Sequence, residues 1–180
     1  FEYFLRKLTV FHRTGKQLLL KSPVHTARIK LLLRLFPEAK FIYVHRHPYQ
    51  VFQSASHMAD TTYWYSYLNT PSDDDINEFI LDQYDVLYEE YIEVRALVPK
   101  ENLIEVRFDE LDQDPTGTIR CIYEHFGWDD FETEVKPCLC KYIDSIGDFK
   151  KNAHKELTPG MKKIVSRRWH ASFKEFNYQK

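Results

Sequence analysis

The sequence has 180 residues, of which 43% are hydrophobic and 29% are charged, a composition typical of one globular domain with a sizeable core. Its net charge of -2 argues against a duplex nucleic-acid binder, which usually carries a basic stripe, so we expect no nucleic-acid partner. No apolar run approaches the roughly 18 residues of a membrane helix, and no signal peptide is visible. We therefore expect no membrane segment, and a cytoplasmic location if no signal or anchor lies upstream. The start at Phe1 instead of a methionine predicts an upstream piece.

The first part of the chain alternates between helical and strand patterns. Apolar residues at helical spacing predict a helix over residues 1–14, ended by Gly15. The next segment, "KQLLLK" at residues 16–21, is short and apolar and predicts a buried strand. A second helix is predicted over residues 25–36, where Pro37 stops it.

The middle of the chain continues this alternation. The β-branched and aromatic "AKFIYVH", residues 39–45, predicts another buried strand. A helix over residues 48–58 follows, because a proline suits the first helical turn. Residues 61–75, "TTYWYSYLNTPSDDD", predict an irregular loop or lid, and apolar steps of three and four predict a long helix over residues 76–98.

The last part of the chain has clear capping signals. Asp114 before a proline predicts a helix start, and Gly127 predicts the end of that helix. The remaining prediction is a strand at residues 102–108, followed by helices at 115–126 and 131–143. A polar loop at 147–160 and a closing helix at 159–176 complete the chain. We expect residues 1–180 to form a single domain.

Strands that alternate with helices are typical of an α/β fold with a parallel sheet. In such sheets, ligands bind beyond the carboxyl ends of the strands. Two predicted strands end in polar residues, at 21–25 and at 45–48. We therefore expect both segments to line a binding site.

A metal site is not favoured by the sequence. The three cysteines include Cys138 and Cys140 in "CLC", without a second pair at zinc-finger spacing, so we interpret them as buried or incidental thiols. His45 and His47 share one face of a strand, and His57 could be a third ligand, but the spacing places no carboxylate beside them. We predict no metal.

Arg46 and Ser54 form a candidate phosphate clamp. Arg46 follows a strand directly, and Ser54 lies eight positions later in the next helix. A guanidinium supplies paired charged donors, a hydroxyl adds a neutral one, and the helix start adds free backbone N–H groups. The alternative is an arginine paired with a carboxylate and a serine on a solvated face.

Lys21 and His25 are candidates for a second part of the site. A lysine can neutralise a phosphate or sulfate oxygen, and a histidine can act as a general base. The alternative is a solvated strand end and a histidine that merely lies near a helix start.

The segment "LLLKSPVHTARIKLLLRLFPEAKFIYVHRHPYQVFQSASH" resembles the core of the sulfotransferase superfamily that uses 3′-phosphoadenosine 5′-phosphosulfate, and most closely its family 3 branch. Two further blocks carry the resemblance, "ENLIEVRFDELDQDPTGTIRCIYEHFGW" and "DFKKNAHKELTP" with the closing "FKEFNY". The resemblance implies a P-loop-NTPase-like sulfotransferase fold, with a parallel sheet flanked by helices. It also implies the phosphosulfate nucleotide as co-substrate, without a metal.

The resemblance assigns a nucleotide-binding role to several positions. Arg46 and Ser54 would hold the 3′-phosphate of the nucleotide. Phe108 stands where relatives often have an aromatic residue near the adenine; the alternative is a core phenylalanine. The loop that would close over the 3′-phosphate contains Lys150, Lys151 and Asn152, for which the alternative is a solvated charged turn.

The transfer site and the acceptor site follow the family less closely. Lys21 stands where relatives have a lysine of the transfer site. Pro23 stands where the cytosolic branch has a catalytic histidine, so His25 is a candidate base only by proximity. Aromatic residues 63–65 are candidates to line the site of a small-molecule or glycan acceptor; a packed loop is the alternative. The oligomeric state stays open.

The sequence departs from the family at the loop that binds the 5′-phosphosulfate. It contains no G-x-x-x-x-G-K-[ST] pattern, so we expect the first strand and its loop to be missing, as in a fragment or a natural truncation. The leading hypothesis is a sulfotransferase core. The alternatives are a binding module or inactive relative that retains only the 3′-phosphate site, and a nucleotide kinase of similar fold, against which the absent loop argues.

Overall fold

Two parallel strands form the centre of the computed structural model, which describes residues 1–13, 15, 17–150, 152 and 154–180. They are β1 (Phe41–His45) and β2 (Leu103–Arg107). Their register places Phe41 beside Leu103 at one end and His45 beside Arg107 at the other. The predicted strands at these two places are confirmed; β1 is followed by Arg46 and β2 by Phe108.

Helices flank the strands along the described chain. Before β2 they are α1 (Glu2–His12), α2 (Ile29–Leu35), α3 (Pro48–Thr61) and α4 (Asp73–Arg95). After β2 they are α5 (Phe108–Gln113), α6 (Pro115–Phe126), α7 (Lys136–Ser145), α8 (Pro159–Arg168) and α9 (His170–Glu175). No helix among these described residues is long and apolar enough to cross a membrane.

Local sequence chemistry explains where the best-defined helices begin and end. The Ser72 side chain accepts from the backbone N–H of Asp75 while the Asp75 carboxylate accepts from Ser72, a capping box that starts α4. Asp114 caps α6 by accepting from the N–H of Gly117 at 2.8 Å. Gly127 ends α6 with φ 66°, a left-handed conformation that glycine adopts without penalty.

Two predicted helices are interrupted. The predicted helix over residues 25–36 begins as a 3-10 turn, Pro23–Arg28, which continues directly into α2. The predicted closing helix divides into α8 and α9 at Trp169, which is buried and donates its indole N–H to the Leu81 carbonyl. Packing of this large side chain therefore overrides the helical period at that point.

The predicted strand at residues 16–21 is wrong for the residues that the structure describes. Lys16 lies outside them, and residues 17–21 form no strand; Leu19 is 86% exposed. A strand is stable only when its backbone groups pair with a neighbour and its apolar side chains are covered. In the described chain, β1 pairs with β2 alone, and the 17–21 segment lacks such a neighbour.

Alternate residues of the two strands face two apolar clusters. The larger cluster packs against Phe41, Tyr43 and Leu103, and it is formed mainly by α3, α4, α8 and α9 around the fully buried Trp169 and Phe173. The smaller cluster packs against the opposite strand face, and its buried members are Val106, Ile122 and Phe126. Because side chains alternate along a strand, His45 and Arg107, the last residues of β1 and β2, lie on the side of the larger cluster, where they contact Phe176 and Tyr178.

Replacement of Asp114 by alanine should destabilise the fold by about 1 kcal/mol, because the cap of α6 loses its acceptor. Urea denaturation followed by circular dichroism measures this change. Asp129→Ala is the matched control, since Asp129 is exposed and makes no hydrogen bond with a described residue. Equal stability of the two variants would contradict the capping role.

Candidate functional site

The register of β1 and β2 brings Arg46 beside Phe108. His45 and Arg107 are the last paired residues, so Arg46 and Phe108 are the residues that directly follow β1 and β2. The Arg46 guanidinium carbon lies 4.4 Å from the centre of the Phe108 ring, within the range of a cation–π interaction. Arg46 and Phe108, which belong to separate blocks of the sequence, are therefore neighbours in the structure.

Gln50 connects Arg46 to α3. The Nε–H of Arg46 donates to Oε1 of Gln50 at 2.8 Å. Gln50 and Ser54 are four residues apart on α3, so they share one helix face. Arg46 thus contacts, through Gln50, the helix face that carries Ser54.

The donors of this face are free of competing partners in the described structure. Neither the terminal guanidinium nitrogens of Arg46 nor the Ser54 hydroxyl bonds to a described residue, and no described carboxylate pairs with Arg46. An arginine with an unpaired terminal fork can bind a phosphate in bidentate geometry.

The C-terminal segment, residues 176–179, covers the opposite side of the strand ends. The Tyr178 hydroxyl lies 2.9 Å from Nδ1 of His45, and the Arg107 guanidinium carbon lies 4.4 Å from the centre of the Tyr178 ring. Arg107 also donates to the Phe176 carbonyl at 3.3 Å. No local pattern in the sequence predicts this closure, because the terminal segment is distant in the chain from the strands that it covers.

Hydrogen bonds define which ring nitrogen of His47 carries the proton. The Tyr49 backbone N–H donates to Nδ1 of His47 at 3.3 Å, so Nδ1 carries no proton. The proton therefore lies on Nε2, which is 3.0 Å from the Gln179 carbonyl and donates to it. His47 is a neutral link between the start of α3 and the C-terminal segment.

Burial shifts both histidines toward the neutral form. Desolvation lowers the pKa of His45, and the Arg107 charge adds to this while the Glu105, Glu110 and Asp109 charges oppose it. Desolvation also lowers the pKa of His47, with an opposing effect from its bond to Gln179 and the charge of Asp109. These histidines flank Arg46 without adding positive charge to the site at neutral pH.

The polar loop before α8 lies against α3. Gln53 donates to the Lys155 carbonyl at 2.7 Å, and the rings of His57 and His154 are 5.5 Å apart. Gln53 and His57 border Ser54 on α3, so this loop passes beside the candidate clamp. In the same loop Lys150 and Asn152 are exposed, and Lys151 lies outside the described residues.

A shallow cleft of about 260 Å³ opens between this loop and α3. Gln50 and Gln53 line it from the helix, and Glu156 and Lys162 line it from the loop and from α8. Gln50, which bonds to Arg46, lines this cleft, whereas Arg46 and Ser54 are not among its described lining residues.

The structure does not join the first polar segment to this clamp. Lys21 is exposed, and His25 is half-buried in the 3-10 turn with its ring edge-on to Phe1 at 5.9 Å. Nδ1 of His25 is buried without a hydrogen-bond partner among the described residues. No contact links Lys21 or His25 to Arg46 or Ser54 in the described part of the chain.

The aromatic loop after α3 is largely open. Trp64 and Tyr65 are 61% and 85% exposed, whereas Tyr63 packs edge-on against Phe79. A cleft of about 440 Å³ lies beside Trp64, with Tyr67 and residues 68–70 on its other walls.

The candidate metal ligands are not assembled in the described structure. All three cysteines are exposed, so the interpretation as buried thiols is wrong, whereas the interpretation as incidental thiols stays a prediction. Among the described residues, no three His, Cys, Asp or Glu side chains form a group that could hold a metal ion.

The family model described as "Sulfotransferase family" matches residues 1–133. The chain therefore belongs to the sulfotransferase family, and the resemblance found in the sequence is confirmed. It is 35% identical over 171 residues to omega-hydroxy-beta-dihydromenaquinone-9 sulfotransferase Stf3 of Mycobacterium bovis and of Mycobacterium tuberculosis. The alignment covers 95% of this chain and 44% of the relative, so the chain spans less than half the length of the curated relatives it matches.

A solved structure supports the fold. The chain superposes on sulfotransferase STF9 of Mycobacterium avium with a TM-score of 0.74 and 21% sequence identity. The match covers 89% of this chain and 42% of that chain. The predicted sulfotransferase-like α/β fold, with a parallel sheet flanked by helices, is confirmed.

The two half-buried histidines, His45 and His47, predict a loss of stability in acid. Because burial lowers their pKa below the ordinary 6.5, the unfolded chain binds more protons than the folded chain below about pH 6.5. The unfolding free energy should therefore fall as the pH drops from 6.5 and level off once the folded histidines are protonated.

His45→Gln removes one of these groups and retains a polar side chain near Tyr178, so it should flatten this dependence. Melting temperatures between about pH 7.5 and about pH 5.5 measure it. His12→Gln, on the exposed face of α1, controls for the loss of a histidine elsewhere. An identical acid slope in His45→Gln and in the wild type would contradict the assignment.

Proposed function

We propose that this chain forms the nucleotide-binding core of a sulfotransferase that uses 3′-phosphoadenosine 5′-phosphosulfate as its donor. The observation that carries the proposal is the Arg46 guanidinium, held beside Phe108 with its terminal fork free and bonded to Gln50, which shares its helix face with Ser54. Membership of the sulfotransferase family supports the choice of this donor over other nucleotides that carry a phosphate.

The donor would be oriented by the 3′-phosphate. Arg46 supplies two charged donors, and Ser54 supplies a neutral donor. The start of α3 lies between them and adds its positive dipole end. Lys150, Lys151 and Asn152 would complete the phosphate contacts, because their loop already passes beside α3 at Gln53 and His57.

The reaction moves a sulfuryl group between two oxygens, or from oxygen to an amine nitrogen. The acceptor atom attacks sulfur, and the bond between sulfur and the bridging 5′-phosphate oxygen breaks. Lys21 would stabilise the negative charge that develops on this oxygen, and a base, for which His25 is the candidate, would take the acceptor proton. The products are a sulfated acceptor and adenosine 3′,5′-bisphosphate.

The acceptor in this proposal is a small molecule with a hydroxyl group on an apolar body. The curated relatives are named for a hydroxylated dihydromenaquinone. Exposed Trp64 and Tyr65, with the cleft beside Trp64, offer aromatic surface for such a molecule. A transfer assay with an apolar alcohol and with a sugar alcohol separates this acceptor class from glycans.

Arg46→Ala should weaken the binding of adenosine 3′,5′-bisphosphate by about 1.5–3 kcal/mol, the value of a charged hydrogen-bonded contact. Isothermal titration calorimetry measures this change. Adenosine 5′-phosphate, which lacks the 3′-phosphate, should lose little affinity. Arg34→Ala, at an exposed arginine of α2, is the matched control. Unchanged binding of the bisphosphate by Arg46→Ala would remove Arg46 from the clamp.

His25→Ala should lower sulfuryl transfer while donor binding stays intact, if His25 takes the acceptor proton. Transfer of labelled sulfate from the phosphosulfate nucleotide to the two alcohols measures turnover, and calorimetry measures donor binding. Full activity of the variant would exclude His25 from the mechanism. Tight bisphosphate binding by the wild-type chain without any transfer would support the alternative of a binding module.

A further inference from the structure

The guanidinium of Arg46 is held on two sides. Its guanidinium carbon lies over the Phe108 ring, 4.4 Å from the ring centre, and its Nε–H donates to Gln50 at 2.8 Å. An arginine side chain otherwise has many rotamers, and ordering them on binding costs affinity. The two contacts leave the terminal nitrogens as the donors directed away from the support.

We propose that Phe108 and Gln50 are positioning residues that hold Arg46 ready for the 3′-phosphate, and that the ring of Phe108 supports the guanidinium instead of the adenine. This inference rests on the proposed function of the site. It changes the role that the family resemblance implied for Phe108, because the face of the ring that Arg46 covers cannot also stack on a base.

The strand register supports the role of Phe108. Arg46 and Phe108 directly follow the paired His45 and Arg107, so the backbone pairing alone brings the two side chains together, without a ligand. A desolvated aromatic face stabilises a guanidinium without neutralising its charge. The positive charge therefore stays available for a phosphate.

The chemistry of Gln50 supports the same conclusion. A carboxylate at this position would accept the same hydrogen bond from Nε, but it would form an ion pair and cancel the positive charge. The neutral amide of Gln50 fixes the orientation and leaves the charge intact. Its place in the first turn of α3 also anchors the guanidinium to a helix rather than to a loop.

The first experiment observes Arg46 without any ligand. In 1H–15N spectra, the Nε–H of Arg46 should appear upfield because of the Phe108 ring current and should exchange slowly because of Gln50. Phe108→Leu should remove the upfield shift, and Gln50→Ala should accelerate the exchange. Gln53→Ala is the matched control, because Gln53 lies on the same helix but donates to Lys155. An unshifted, fast-exchanging wild-type resonance would overturn the inference.

The second experiment separates support of Arg46 from stacking on adenine. Phe108→Leu should weaken binding of adenosine 3′,5′-bisphosphate roughly two- to five-fold, and Gln50→Ala roughly two- to ten-fold. Both should leave adenosine 5′-phosphate unchanged. Equal losses for the two nucleotides in Phe108→Leu would show an adenine platform and overturn the inference. Thermal unfolding of each variant verifies that the fold is retained.

Two further variants keep the outcome decisive. Gln50→Glu should weaken bisphosphate binding at least as much as Gln50→Ala, since it adds a competing carboxylate; unchanged or tighter binding would overturn the role of Gln50. In an Arg46→Ala background, Phe108→Leu should have no further effect on bisphosphate affinity. If the wild-type chain binds the bisphosphate no better than adenosine 5′-phosphate, the proposed function itself fails, whatever the spectra show.

Discussion

The parallel pairing of β1 with β2 in one register is the constraint on which the candidate site depends. This pairing sets His45 beside Arg107, so the chain positions that follow meet at the same edge of the sheet. The side chains there come from segments about 60 residues apart, and no helix or loop by itself could bring them together. A shift of one residue would exchange the two faces of a strand, which would bury Arg46 against the apolar clusters or expose their members.

The two faces of the strand ends have different environments. On one side the C-terminal segment closes over His45 and Arg107 through Tyr178, and desolvation of the half-buried His45 and His47 lowers their pKa and favours the neutral form. On the other side, Arg46 is supported by an aromatic ring and an amide while its terminal donors stay open. The closed side joins the edge of the sheet to the C-terminal segment, and the open side retains the positive charge of Arg46 for a ligand.

Family membership and site geometry contribute different parts of the functional argument. Membership identifies sulfuryl transfer as the chemistry to consider. The chain, however, aligns with less than half the length of its curated relatives. The geometry of Arg46 and Gln50 supports an anion site at the start of α3, and no contact among the described residues joins this site to Lys21 or His25. Donor binding and sulfuryl transfer are therefore separable properties of this chain, and they require separate measurements.

The sequence alone determined the local elements and the residues with the strongest local logic. Capping residues and apolar spacing predicted α3, α4 and α6. The hypothesis of a phosphate clamp needed only the spacing of Arg46 and Ser54, because both belong to one strand–helix connection. Only the tertiary structure decided the partners: Phe108 beneath Arg46, Gln50 beside it, and Tyr178 across the strand ends. The apolar segment at 17–21, which was predicted as a strand and forms none, illustrates the same limit. The backbone groups of a helix bond within the helix, whereas strands and stacked side chains depend on residues that are distant in the chain.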